Sequence, residues 1–183
     1  MTDRAVVSRA GSGCPTSGTD SRTSNLSGAA DRFAEGKGKG LRDQLLSPGE
    51  LRELYENVYH MAIKSNGTRI LLYRPLFAQI APDDPTVGAL CSAGNNALTI
   101  MPDGTVYTCR RLPIPIGNVL RDGLFSIWYD SEVLWNIRNP QKLGGKCRDC
   151  DLLANCRGCR AMAHFCSGDY MAEDPQCWRC AVV

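Results

Sequence analysis

The chain has 183 residues, 43% hydrophobic and 22% charged, which suffices for one ordinary domain with some length to spare and excludes two large ones. A formal charge of +2, from 21 basic and 19 acidic residues, gives no electrostatic case for a nucleic-acid partner, and no run approaches the ~20 apolar residues of a membrane span. Aromatics make up only 7% against 18 Gly and 10 Pro, so the apolar core is modest and something else must help to hold the fold.

The cysteines supply that something. There are 10, nine of them between residues 91 and 183, a density that means metal in a reducing compartment or disulfides in a secreted protein. Residues 1–27 contain no apolar stretch resembling a signal-peptide core. The expectation is therefore a cytoplasmic metal-binding protein with no membrane segment.

Residues 1–46 are polar and Gly/Ser-rich, without hydrophobic periodicity, and read as a disordered lead-in carrying the stray Cys14. The run Gly36-Lys37-Gly38-Lys39-Gly40 lacks the spacing of a phosphate-binding loop. At Ser47-Pro48-Gly49-Glu50 a capping Ser, a Pro for the first turn and a capping-box Glu predict a helix over 48–63, with Leu51, Leu54, Tyr55, Val58 and Ala62 on its apolar face. Tyr55 reads as core and His60 as surface. Residues 68–73 predict a short buried strand, followed by an extended loop through Pro75, Pro82 and Pro85.

Residues 97–101 and 106–110 flank Pro102-Asp103-Gly104-Thr105, a hairpin turn with Asp-Gly supplying the positive backbone angles. Cys91 enters this hairpin and Cys109 closes it. A turn over 117–123 leads to a short amphipathic helix marked by Leu124, Ile127 and Trp128. Ser131 then caps another, with Leu134 and Ile137 inward, before Asn139-Pro140 stops it. Beyond Leu143 the chain is Gly- and Cys-rich with little periodicity, so its order must come from ligation rather than burial.

Two Cys-x2-Cys pairs, Cys147-Arg148-Asp149-Cys150 and Cys156-Arg157-Gly158-Cys159, place four soft thiolates within 13 residues. Zinc and iron-sulfur clusters both select such ligands. A single structural zinc in a non-redox interaction module is one reading. It leaves Cys91, Cys109, Cys166, Cys177 and Cys180 unused, and its five-residue gap is short for a zinc ribbon. Arg110, Arg111, Arg148, Arg157 and Arg160 flank these cysteines, either as a solvated basic face or as cations that offset cluster charge. Trp128, Trp135 and Trp178 read as packing groups, and His164 as a packed histidine.

The whole pattern, Cys91, twelve residues, Gly104, four residues, Cys109, then Cys147-x2-Cys150-x5-Cys156-x2-Cys159 and finally Cys177, resembles the SPASM domain, the auxiliary-cluster domain of radical SAM enzymes. The stretch Ile100-Met101-Pro102-Asp103-Gly104-Thr105-Val106-Tyr107-Thr108-Cys109, the run Ile116-Gly117-Asn118-Val119, the segment from Leu124 to Trp128 and the segment from Gly168-Asp169 to Asp174-Pro175-Gln176-Cys177 share the likeness. The tight spacing in Cys156-Arg157-Gly158-Cys159-Arg160-Ala161 departs from the family's x3 and looks like its haem-biosynthesis branch.

The resemblance implies two auxiliary [4Fe-4S] clusters with interleaved ligands: Cys91, Cys109 and Cys159 for the first, and Cys147, Cys150, Cys156 and Cys177 for the second. One iron of the first would be open to water, Cys180 or a substrate group, and Cys166 would be a packed thiol. It also implies an α+β, loop-rich, metal-stabilised domain over 86–183. Residues 47–85 would be a helix and strand like the end of a partial (β/α) barrel. No Cys-x3-Cys-x2-Cys triplet is present, so SAM cleavage is not expected from this chain alone. A radical SAM barrel in trans and a redox partner are the implied associates, with electron transfer or substrate anchoring as the role.

Overall fold

A computed structural model describes residues 45–179 of the chain; the expected lead-in, Cys14 and Cys180 lie outside that range in whole or nearly so. Helix α1, Pro48–Lys64, begins as the sequence dictates. Ser47 and Glu50 form a capping box in which the Glu50 backbone N–H donates to Ser47 Oγ at 3.3 Å and the Ser47 N–H donates to Glu50 Oε2 at 2.8 Å. Leu51 and Tyr55 are buried, and Val58 and Ala62 half-buried, but Leu54 is 46% exposed. The apolar stripe is thus narrower than its sequence suggests. Only one edge of α1 meets a neighbour.

That neighbour is a 3-10 turn, Pro75–Gln79, formed where the prolines predict an extended loop. Pro75 fits its first position, where no backbone donor is needed, and Leu76, Phe77 and Ala78 are buried beneath α1. The expected strand over 68–73 is extended but joins no sheet. Leu72 alone of it is buried, its carbonyl accepting from Gly88 N–H at 2.7 Å, while Leu71 and Tyr73 stay exposed. A strand becomes one only by repeated pairing, and the single hydrogen bond from Gly88 builds no ladder.

The hairpin forms as expected. Strands β1, Thr99–Ile100, and β2, Thr105–Cys109, pair antiparallel with Thr99 opposite Tyr107. Gly104, at φ +82, is the turn's sole residue in the left-handed region; Asp103 instead accepts hydrogen bonds from the Thr105 N–H and hydroxyl, both at 3.0 Å.

A third strand, β3, Leu112–Asn118, adds to β2 and gives the order β1-β2-β3. Its Pro113 and Pro115 argue against a strand in sequence. They are tolerated because β3 is the edge and the β2–β3 register is irregular around Tyr107.

Helix α2, Leu124–Asp130, and helix α3, Glu132–Arg138, pack behind the sheet. Ser131 Oγ accepts from Leu134 N–H at 3.4 Å, so the predicted cap is present. Trp135 lies on the outer face, 55% exposed, rather than in the core. The last helix, α4, Arg160–Ser167, follows an irregular stretch held by turns.

Two hydrophobic clusters organise these elements. One joins Leu51, Tyr55, Phe77 and Val87 to Leu152 and Cys156; the other joins Leu112 of β3, Ile137 of α3 and Ala161 of α4, with Cys109 and Cys159 packed against it. Each carries part of the cysteine set.

Leu134, fully buried on α3, and Leu54, exposed on α1, test this packing. Leu134→Ala should cost about 2–5 kcal/mol in chemical denaturation, and Leu54→Ala less than about 0.5 kcal/mol. Equal losses would mean that the α1 face is assigned wrongly.

Candidate metal centre

Three cysteines lie within electrostatic range of one another at the hairpin end of the molecule. Cys91 precedes β1, Cys109 ends β2, and Cys159 caps the N-terminus of α4. The Cys91 loop is fixed by Asn95, whose Nδ2 donates to the Cys91 carbonyl at 2.8 Å, and by Arg138 of α3, whose Nε donates to the Gly94 carbonyl at 2.7 Å. Arg138 also lies 4.3 Å over the Trp128 ring, so α2, α3 and the loop form one brace. Arg110 and Arg111 make the two-residue turn between β2 and β3, since Cys109 pairs with Leu112. The Arg111 backbone N–H donates to Cys109 Sγ at 3.4 Å, and its guanidinium stands 3.9 Å from Cys159 Sγ. Cys91, Cys109 and Cys159 all interact electrostatically with Arg111. Burial pushes the Cys91 thiol up, and the neighbouring Cys159 and Cys109 add to the effect.

The other four cysteines line a separate pocket. Cys147 ends the 3-10 turn Gly145–Cys147, while Cys150 and Cys156 stand on the following turns, where Cys156 N–H donates to the Leu152 carbonyl at 2.7 Å. Cys177 arrives from the C-terminal segment. Together with Leu76, Gln79, Lys146 and Arg179 they line a small pocket that opens to solvent. Burial pushes Cys150 and Cys177 up and Cys156 up to about 12, so at neutral pH the metal-free Cys156 is a thiol, and metal binding there must release its proton.

The Cys156-x2-Cys159 pair is thereby split between the two groups. Gly158, at φ +64, makes the turn that divides it: a Cβ there would lie 2.6 Å from Asp174 Cβ and 2.8 Å from the Arg160 guanidinium. Asp174 is fully buried and holds both sides. Its Oδ2 accepts from Cys159 N–H at 2.7 Å, its Oδ1 from Gln176 N–H at 2.9 Å, and its carbonyl from Cys177 N–H at 3.1 Å.

The donor set suits an anionic polynuclear group. Gln79 Nε2 and Arg160 Nε are buried N–H donors without partners, the kind of group that cluster sulfur can satisfy. Among the described residues no three His, Cys, Asp or Glu side chains close on one ion-sized point. Asp174, Arg138 and Gln79 are the contributors that sequence reasoning missed. Asp174 belongs to the segment ending at Cys177 that shares the family likeness, but nothing in the local sequence marks its carboxylate as buried. His164 is half-buried with Nδ1 unpartnered, and Cys166 sits on α4.

These features define a small, cysteine-organised domain. Residues 91–151 match the family model of SPASM, an iron-sulfur cluster-binding domain. Over 157 residues the chain is 32% identical to the AdoMet-dependent heme synthase of Nitratidesulfovibrio vulgaris, covering 78% of this chain and 43% of that protein. The synthase of Methanosarcina barkeri is 37% identical over 87 residues, 48% of this chain and 25% of its own length. The mycofactocin maturase of Mycolicibacterium smegmatis is 32% identical over 154 residues, covering 78% and 37%. The chain carries the SPASM domain of the radical SAM/SPASM family. It spans less than half the length of these three relatives. No solved structure matches.

The Gly158 turn and the Asp174 carboxylate should be sensitive to single changes. Gly158→Ala should cost at least about 1 kcal/mol from its left-handed backbone. Asp174→Asn, which turns a donor toward an N–H, should cost about 1–3 kcal/mol. Denaturant midpoints under anaerobic conditions measure both, and wild-type values would show that the junction can relax.

Proposed function

We propose that the chain binds two [4Fe-4S] clusters, one through Cys91, Cys109 and Cys159 and the other through Cys147, Cys150, Cys156 and Cys177, as the auxiliary-cluster part of an AdoMet-dependent radical enzyme. The observation that carries this reading is the spatial sorting of seven cysteines into two groups, with Cys156 and Cys159 on opposite sides of Gly158. When bound, such clusters supply one-electron redox chemistry and, at an open iron, a Lewis-acid position.

The chain's own residues then have distinct tasks. Cys147, Cys150, Cys156 and Cys177 give the second group four thiolates, a complete set. Cys91, Cys109 and Cys159 give the first group three, which leaves a position for water, Cys180 or a substrate group. Arg138 and Asn95 hold the Cys91 loop in place for that position. The barrel that binds and cleaves SAM would be supplied by the remainder of such an enzyme or by a partner in trans. The roles left to the domain are electron relay to or from that barrel and substrate anchoring. The names of the relatives indicate haem and mycofactocin chemistry, and the Cys156 to Ala161 spacing favours the tetrapyrrole-like class of substrate.

Anaerobic reconstitution should yield about eight iron and eight sulfide per chain. Cys150→Ala should lose about half of that iron, whereas Cys166→Ala should retain all of it. Stoichiometric zinc with negligible sulfide, or equal iron loss in both variants, would sink the assignment. Reduced pure protein should form no 5′-deoxyadenosine, as measured by chromatography.

A further inference from the structure

Five arginines flank the cysteines in sequence, and the fold gives them different jobs. Arg110 and Arg148 are exposed; Arg148 Nε donates to the Leu143 carbonyl at 2.9 Å. Arg157 is half-buried and donates to the carbonyls of Leu153 and Arg138. These three bond to no sulfur. Arg111 and Arg160 do, and they divide between the groups: Arg111 stands 3.9 Å from Cys159 Sγ, and Arg160 stands 3.9 Å from Cys147 Sγ.

Arg160 is only 5% exposed, and no carboxylate among the described residues forms an ion pair with it. Its NH1 donates to the carbonyls of Tyr170 and Ala172, at 3.1 and 2.6 Å, which leaves Nε unpartnered; the buried Asp174 carboxylate flanks the same Gly158 turn but accepts from backbone N–H groups rather than from this guanidinium. A guanidinium does not neutralise itself by losing its proton, so the Arg160 charge persists in its buried position. Thiolates ligated to iron are anionic, and at Cys147 they would set negative charge directly against the guanidinium's NH2, in addition to the nearby Asp174 carboxylate.

We propose that Arg111 and Arg160 are the charge partners of the two thiolate groups, one each, and that they hold the two reduction potentials up independently. The inference rests on the two-cluster reading above. Adding one electron to a cluster adds one negative charge, which a fixed cation nearby stabilises, so removing the cation makes that electron harder to add. The electron comes from dithionite through mediators in a titration, and no proton need move.

The test is an anaerobic potentiometric titration of the reconstituted full chain, followed by EPR and paired with iron and sulfide analysis. Arg111→Gln should shift the reduced-to-oxidised ratio of one signal at least tenfold at fixed potential, a fall of about 59 mV for one electron. The second signal should stay in place. Arg111→Lys should recover most of the shift, and Arg148→Gln should move neither signal. Arg160→Gln should shift the other signal. If that variant takes up no iron at the second group, uptake by Arg160→Lys supports the charge role. Failure of both Arg160 variants to load overturns it in favour of the carbonyl hydrogen bonds alone. Normal loading of Arg111→Gln with both midpoints unmoved, or the same signal moved by Arg111→Gln and Arg160→Gln, also overturns the proposal. Wild-type protein that takes up no iron and sulfide would instead remove the underlying iron-sulfur reading.

Discussion

A single buried carboxylate holds the two halves of the cysteine set in register. Asp174 accepts from the backbone on the approach to the first group, at Cys159, and shapes the turn that delivers Cys177 to the second. A carboxylate accepting two backbone N–H bonds in a dry site is a strong interaction, and it is also intolerant of change because nothing else there can take those donors. Gly158 sits against it with no room for a side chain. The consequence is that a pair of cysteines two residues apart, which elsewhere would grip one metal, faces two ways.

The apolar core follows the same partition. Cys156 packs with Tyr55 and Phe77, and Cys159 with Leu112 and Ile137, so each group is an extension of its own hydrophobic cluster. With so few aromatics and so many glycines, neither cluster is large. Burial alone leaves the thiols protonated and the segment from Leu143 to Arg179 dependent on turns. Ligation would replace weakly packed thiols with covalent cross-links between β2, α4 and the C-terminal segment, which is where the fold most lacks regular structure.

What could be read from sequence was what is decided locally. The Ser47 capping box, the Gly104 turn and the Ser131 cap each depend on residues within four positions, and all three are present. Features set by distant partners were not legible. Leu54 fits the helical stripe but finds no neighbour; residues 68–73 have strand-like composition but no adjacent strand; β3 carries two prolines that only its edge position excuses. For the site, the cysteine spacing placed all seven residues in view, whereas Asp174, Arg138 and Gln79 act through contacts made 15, 44 and 98 positions away.

The aromatic contact between α1 and the second cysteine pocket has a mechanical meaning. Tyr55 packs on Phe77 with ring centroids 4.3 Å apart and meets Trp178, the residue after Cys177, edge-on at 5.5 Å. Helix and pocket are therefore tied by direct ring contact. A displacement of α1 would thus be felt next to Cys177 through Trp178, so the position of the helix and the shape of the pocket are coupled through side-chain packing.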